Sequence, residues 1–180
     1  MTIFSGGGAG MWRVERIQPV IGPPLDMVRR LAVVEGDQGV TQDDVVWRLR
    51  GVTSYERYVH RAERGQLVAV QPELGRPEAT RAALIPIRKS AAWWDLTQDE
   101  RRAIFEERSH HIATGLKYLP AVARRLYHSR DLGEPFDFLT WFEYAPSDAA
   151  AFEQLVAMLR GTEEWKFVER EVDIRLVKQK

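Results

Sequence analysis

The chain has 180 residues, 44% of them hydrophobic, which is enough to bury a core of its own. Lysine and arginine together number 26, as do aspartate and glutamate, so the formal net charge is zero and no basic field draws in nucleic acid or an anionic membrane surface. Cysteine is absent, which removes disulfides, thiolate-ligated zinc, iron–sulfur clusters and cysteine nucleophiles; any metal chemistry rests on histidine and carboxylates.

The opening MTIFSGGGAGMW has neither a basic segment nor a continuous apolar run, and no later stretch reaches the roughly 18 apolar residues of a membrane span. A cytoplasmic protein with no membrane partner is expected. Ser5 to Gly10 is rich in glycine but lacks GxGxxG spacing, and reads as a flexible leader. Trp12 to Ile21 is predicted as the first strand, and Leu25 to Val34, following Pro23 and Pro24, as a short helix. Val45, Trp47 and Leu49 alternate with Arg48 and Arg50, the period of a half-buried strand. Further strands are expected over Tyr55 to Arg61, Leu67 to Val70 and Leu84 to Ile87.

Thr97 stands three residues before Glu100, the spacing of a capping box, and opens helical sequence that runs to Gly133. Pro120 has no N–H and must divide it into two helices or one sharply kinked one. Pro135 to Ala145 reads as a strand with apolar residues on both faces, and Ser147 to Gly161 as a capped helix. Lastly, Val168, Val172, Ile174 and Leu176 alternate with Glu169, Glu171, Asp173 and Arg175, predicting a strand with one buried and one wet face. Strands mixed with one-sided helices in this order fit an α+β protein with ferredoxin-like halves.

The carboxylates in DERR and FEER sit beside arginines and read as solvated ion pairs. No HExxH, GxSxG, Walker loop or kinase motif occurs. His60 and His128 stand in polar contexts and read as surface residues. The adjacent pair His110 and His111 is more informative. Residues three, four and seven apart share a helix face, which sets His111 beside Ile104 and Gly115 and His110 beside Glu106, Glu107, Thr114 and Lys117. His111 therefore turns inward and His110 outward. An inward histidine alone is more often a hydrogen-bonded core residue than a ligand. Gly115 shifts that balance, because a glycine inside a helix costs about 1 kcal/mol relative to alanine and the close approach of something flat is one justification. Neutral imidazole is also the commonest metal-binding side chain, and a porphyrin iron needs only one.

The run HHIATGLKYLPAVARRLYHSRDLGEPFDFLTWFEY, with GVTSYERYV upstream and TEEWKFVEREVD downstream, resembles the chlorite dismutases over about Trp47 to Leu176. The length resembles their short, dimeric lineage with a reduced N-terminal half. This likeness implies two ferredoxin-like halves, 1–95 and 96–180, forming an α+β barrel of the chlorite dismutase and dye-decolorising peroxidase type. It also implies haem b, a homodimer, and oxidoreductase chemistry that converts chlorite, a small anion, to chloride and dioxygen. The family's proximal haem ligand falls on His111. Its distal arginine, 13 residues on, falls on Arg124, with Leu126 as an apolar neighbour on the same side. The carboxylate that bonds the proximal imidazole falls in TEEW, on Glu164 in preference to Glu163. Haem-propionate and edge contacts match Tyr58, Val59, Lys89 and Trp93, while Gln71 matches a distal glutamine that engages the arginine.

By that likeness, oxygen-atom transfer is followed by retention of hypochlorite at Arg124 and by O–O bond formation. A coproheme decarboxylase, a dye-type peroxidase and a non-catalytic haem-binding module are the competing readings. The first group tends to lack arginine at the distal position, and the second has a longer chain.

Overall fold

Eight strands join in one sheet in the computed structural model, which describes residues 1–36, 44–53 and 60–179. They are β1 (Thr2–Gly7), β2 (Trp12–Ile21), β3 (Arg30–Glu35), β4 (Val45–Gly51), β5 (Arg81–Lys89), β6 (Val122–His128), β7 (Phe138–Tyr144) and β8 (Val168–Lys178). Their hydrogen-bonded order is β4-β1-β3-β2-β8-β5-β7-β6. Each set of four follows one scheme, fourth beside first, first beside third, third beside second, which is the order of a ferredoxin-like unit. The α+β fold expected from the sequence is the observed one.

The two outer strands, β4 and β6, meet where Val52 and His128 exchange backbone hydrogen bonds of 2.9 and 2.8 Å. That bridge closes the sheet into a barrel. Apolar residues from all eight strands fill it, among them Phe4, Trp12, Leu49, Leu84, Tyr127 and Ile174. Phe4 meets Tyr127 edge-on at 5.3 Å, and Trp12 meets Trp141 likewise at 5.3 Å, so rings from the first two strands lock against rings from β6 and β7.

The connections of the second four strands carry helices. Between β5 and β6 run α2 (Ala91–Asp95), α3 (Gln98–Arg102), a π-helical turn over Ala103–Arg108 and α4 (His111–Tyr118); between β7 and β8 runs α5 (Ala149–Arg160). α1 (Arg61–Val70) precedes β5. A second apolar cluster, with Ile85, Val122 and Phe142 from the sheet and Phe152, Leu155 and Val156 from α5, fills the space outside the barrel.

Several expectations need correction. Ser5 to Gly10 is no leader: β1 is buried along its whole length, and a Cβ on Gly6 would stand 2.3 Å from the Trp47 indole. On Gly10 it would stand 2.2 Å from the Leu31 carbonyl oxygen, where the chain steps past β3 into β2 with φ +130°. These glycines admit neighbours rather than loosen the chain. Leu25 to Val34 holds β3 instead of a helix; Val33 and Val34 suit a strand, and β1 and β2 flank it. Leu67 to Val70 is the last turn of α1, not a strand; Glu63 accepts the His60 N–H at 2.7 Å and starts that helix. The expected strand over Tyr55 to Arg61 falls mostly outside the described residues, and its final residue, Arg61, opens α1.

The capping box at Thr97 forms, with the Glu100 carboxylate accepting the Thr97 N–H at 2.7 Å. Beyond Pro120, however, the chain becomes β6 and not a second helix, because cross-strand pairing with β7 along Val122 to His128 overrides the helix propensity of Ala, Arg and Leu. The polar face of β8 is not wet either. Glu171, Asp173 and Arg175 are buried under α5, where Arg160 meets Glu171 at 2.6 Å and Asp173 at 3.0 Å, and Arg175 meets Glu153 at 2.7 Å. Alternating charges that neutralise one another mimic the pattern of a solvated face.

Candidate functional site

A cavity of about 320 Å³ lies outside the barrel, between the outer face of β5, β6 and β7 and the helices α4 and α5. Its walls are mostly apolar, with Ile85, Phe142, Leu155 and Leu159 among them. Into it converge a few polar groups, the general form of a small-molecule site.

His111 enters from the first residue of α4. The π-helical turn ends at Arg108, and two residues on His110 adopts the left-handed conformation (φ 51°, ψ 38°), so that α4 starts in a new direction. Glu106 secures that start by accepting the N–H groups of Ile112 at 2.6 Å and Ala113 at 3.2 Å. Phe105 stacks on the imidazole with centroids 4.4 Å apart. On the other side, Nδ1 lies 2.7 Å from Oε2 of Glu164, which leaves Nε2 as the ring nitrogen available to the cavity.

Glu164 is 5% exposed. Its backbone N–H donates to Ser109 Oγ at 2.9 Å, and its Oε1 receives the ammonium of Lys89 at 2.7 Å. Burial pushes this carboxyl upward, but the charges and hydrogen bonds of His111 and Lys89 prevail and hold it at about 2. Glu164, not Glu163, therefore partners His111; Glu163 pairs with Arg108 at 2.8 Å on the surface. Lys89 lines the cavity but directs its charge to Glu164, with its Nζ 4.5 Å above the Trp93 ring and 5.5 Å from that of Trp165. The structure gives Lys89 an ion pair with Glu164; the family likeness suggested a propionate or edge contact.

Arg124 and Leu126 reach the cavity from β6. Gln71, at the end of α1, also lines it, but its side-chain amide donates to the backbone oxygen of Arg124 at 2.7 Å. Tyr58 and Val59 lie outside the described residues. His128, expected at the surface, lines the cavity and meets Phe138 edge-on at 5.4 Å. It shares a face with Arg124 and Leu126 at the two-residue period of a strand, a signal lost when the segment is read as helix. His110 is exposed, as its face predicted, and so is His60.

The donor set suits the haem that the likeness implies. No cluster of three or more His, Cys, Asp or Glu that could hold a bare metal ion occurs among the described residues. A single imidazole backed by a carboxylate is what a porphyrin iron requires of a protein. Gly115 adds a second test. One turn after His111 it also lines the cavity, and a Cβ built there meets no heavy atom within 4 Å, so protein packing does not demand glycine at this position. The room it leaves is room beside His111. Among the described residues, no helix is long and apolar enough to cross a membrane.

The family profile for chlorite dismutase matches residues 38–180. A crystal structure of dimeric chlorite dismutase from Nitrobacter winogradskyi is similar to this chain at 62% identity and a TM-score of 0.93, covering 99% of this chain and 100% of that one. A mutant chlorite dismutase from Candidatus Nitrospira defluvii is 30% identical with a TM-score of 0.62, over 74% of this chain and 55% of that one. The chlorite dismutase of Ideonella dechloratans is 38% identical over 86 residues, a match that spans 48% of this chain and only 28% of that relative's length.

Proposed function

We propose, from the premise that this chain belongs to the chlorite dismutase family, that it is a homodimeric haem b enzyme converting chlorite to chloride and dioxygen. The observation that carries this reading is the cavity shared by Arg124 and the His111–Glu164 pair. The dimeric state follows the similar Nitrobacter winogradskyi structure.

Haem, when bound, supplies the redox centre at which chlorite gives up one oxygen atom. The residues of this chain do the rest. His111 offers Nε2 to the metal, and Glu164 fixes the ring's tautomer and strengthens it as a donor. His111 and Lys89 together favour the ionised form of the buried Glu164 carboxyl, so it remains an acceptor for the imidazole N–H. Arg124 carries a permanent charge on a rigid fork of donors, which attracts the chlorite anion and holds hypochlorite in place once it forms. The apolar walls contributed by Phe142, Leu155 and Leu159 would limit water and keep hypochlorite within the cavity beside Arg124. One chlorite yields one chloride and one dioxygen with no net proton, so no general base is needed beside Arg124.

The direct test is to load the protein with haem, add chlorite and follow dioxygen with an electrode. Rapid evolution is expected; a haem spectrum with no dioxygen refutes the reading. Arg124→Ala is expected to bind haem but to lose its activity after fewer turnovers, as escaping hypochlorite attacks the cofactor.

A further inference from the structure

We propose that Arg76 is a positioning residue for Arg124, acting as a clamp on the turn by which the chain enters β6; the role of Arg124 itself rests on the function proposed above. β6 ends the hydrogen-bonded order of the sheet. β7 takes one of its sides, and among the described residues the other side has a backbone partner only at the Val52–His128 bridge. Among the described residues, side chains that follow α1 bond to this strand and to the turn that leads into it. Gln71 donates to the Arg124 oxygen at 2.7 Å, while the two terminal nitrogens of Arg76 donate to the Pro120 and Ala121 oxygens at 3.3 and 3.1 Å.

A third tie fixes the segment itself. The Gly75 N–H donates at 2.6 Å to Glu143 of β7, which stands in register with Ala123, and Trp141 Nε1 holds the other carboxylate oxygen at 2.9 Å. Gly75 has φ +83°, which aims its N–H at Glu143 and presents the next residue, Arg76, to the start of β6.

The place gripped by Arg76 is what gives it a functional meaning. The chain between His111 and Arg124 passes through Pro120 and Ala121, leaving α4 and entering β6 there. Two carbonyls held by one planar guanidinium cannot shift independently, so Arg76 fixes the start of the strand that carries Arg124 relative to the helix that carries His111. The Arg76 side chain is 25% exposed, and its nearest acid, Glu78, is 3.6 Å away and itself 57% exposed. Its main partners are thus neutral carbonyls, the mark of a guanidinium used for geometry rather than for charge pairing.

The test uses the ferric haem-loaded protein titrated with sodium nitrite, a bent triatomic monoanion like chlorite, followed by the Soret band. Arg76→Ala is expected to weaken nitrite about fivefold, within the range of coupling between interacting residues. It is also expected to raise the KM for chlorite more than it lowers kcat. In the Arg124→Ala background, Arg76→Ala should have no further effect on nitrite. Unchanged nitrite affinity in the single variant, or a loss that simply multiplies with that of Arg124→Ala, overturns the clamp. If Arg76→Ala does not fold, Arg76→Gln, which keeps one donor nitrogen where the guanidinium has three, is expected to show a smaller loss in the same cycle, and full wild-type affinity there overturns the proposal. Nitrite binding needs no turnover, so a wild-type protein that evolves no dioxygen refutes the function while the cycle still decides the clamp.

Discussion

Replacing Lys89 with methionine keeps most of the side chain's volume but deletes the ammonium 2.7 Å from Glu164 Oε1. Both partners are almost fully buried, with side chains 4% and 6% exposed, so water cannot take the ammonium's place. Breaking one side of a buried pair costs roughly 3–5 kcal/mol. The lower end applies here, because Glu164 keeps His111 at 2.7 Å, and about 3 kcal/mol is expected. For a chain of this size that is a fall in Tm of about 6–12 °C. Thermal melts of the haem-loaded protein followed by circular dichroism measure it. The double variant Lys89→Met/Glu164→Gln removes both charges and should regain at least half of the loss. Reduction potentials give an independent readout: Lys89→Met leaves the carboxylate to act on His111 unopposed and should lower the potential, whereas Glu164→Gln should raise it. A single-variant loss within about 0.5 kcal/mol of zero, the range of ordinary surface substitutions, or potentials that move in the same direction, would refute the coupled triad.

Gly115→Leu should leave the melting temperature of the haem-free protein unchanged or higher, since nothing in the protein crowds that position and leucine is the better helix former, yet haem titration should show weakened binding. Intact haem affinity would mean the space beside His111 serves something else. Gly6→Ala should destabilise by about 1–3 kcal/mol through overpacking against Trp47, read by urea denaturation. The Asp173 carboxyl is raised by burial but lowered further by Arg175 and Arg160, for a net depression. Its contribution is therefore complete above the ordinary aspartate range and lost as pH falls below that range through the depressed folded-state value. Urea denaturation across that window should show the stability gap between wild type and Asp173→Asn narrowing with acid; a constant gap contradicts the assignment.

His111 was legible because it lies on helix, where a period of 3.6 separates neighbours cleanly, whereas Glu164 and Lys89 came only from the family likeness. His110 and His111 part on that basis, although the helix behind the argument is interrupted at His110 and the direction of α4 depends on Glu106, a residue that looked like solvated surface. The same period hid β6, whose Ala, Arg and Leu are good helix formers and whose strand character comes from pairing with β7. Glycine misled in the opposite way at Ser5 to Gly10. Chain freedom and close approach leave the same letter in the sequence, and only the position of Trp47 distinguishes them. Glu171, Asp173 and Arg175 show a third limit, since a two-residue alternation of charge does not tell water from a neutralising helix.

The position of β8 has a consequence for how the protein is made. It lies between β2 and β5 and is the strand through which the two ferredoxin-like units hydrogen-bond side by side; Lys178 stands opposite Trp12 on one side, and Val177 opposite Arg81 on the other. A ribosome that has translated as far as Arg160 has delivered seven of the eight strands and all the helices α1 to α5, but not the strip that welds them. Until residues 168–178 emerge, β2 and β5 each expose an unpaired edge, and contacts spanning nearly the whole chain must form at the last step, the slow end of folding. Glu164 and Glu171, both part of the cavity wall, arrive with that strip. The nascent protein thus acquires the carboxylate behind His111 only as its barrel becomes able to close, which ties completion of the candidate site to completion of the fold.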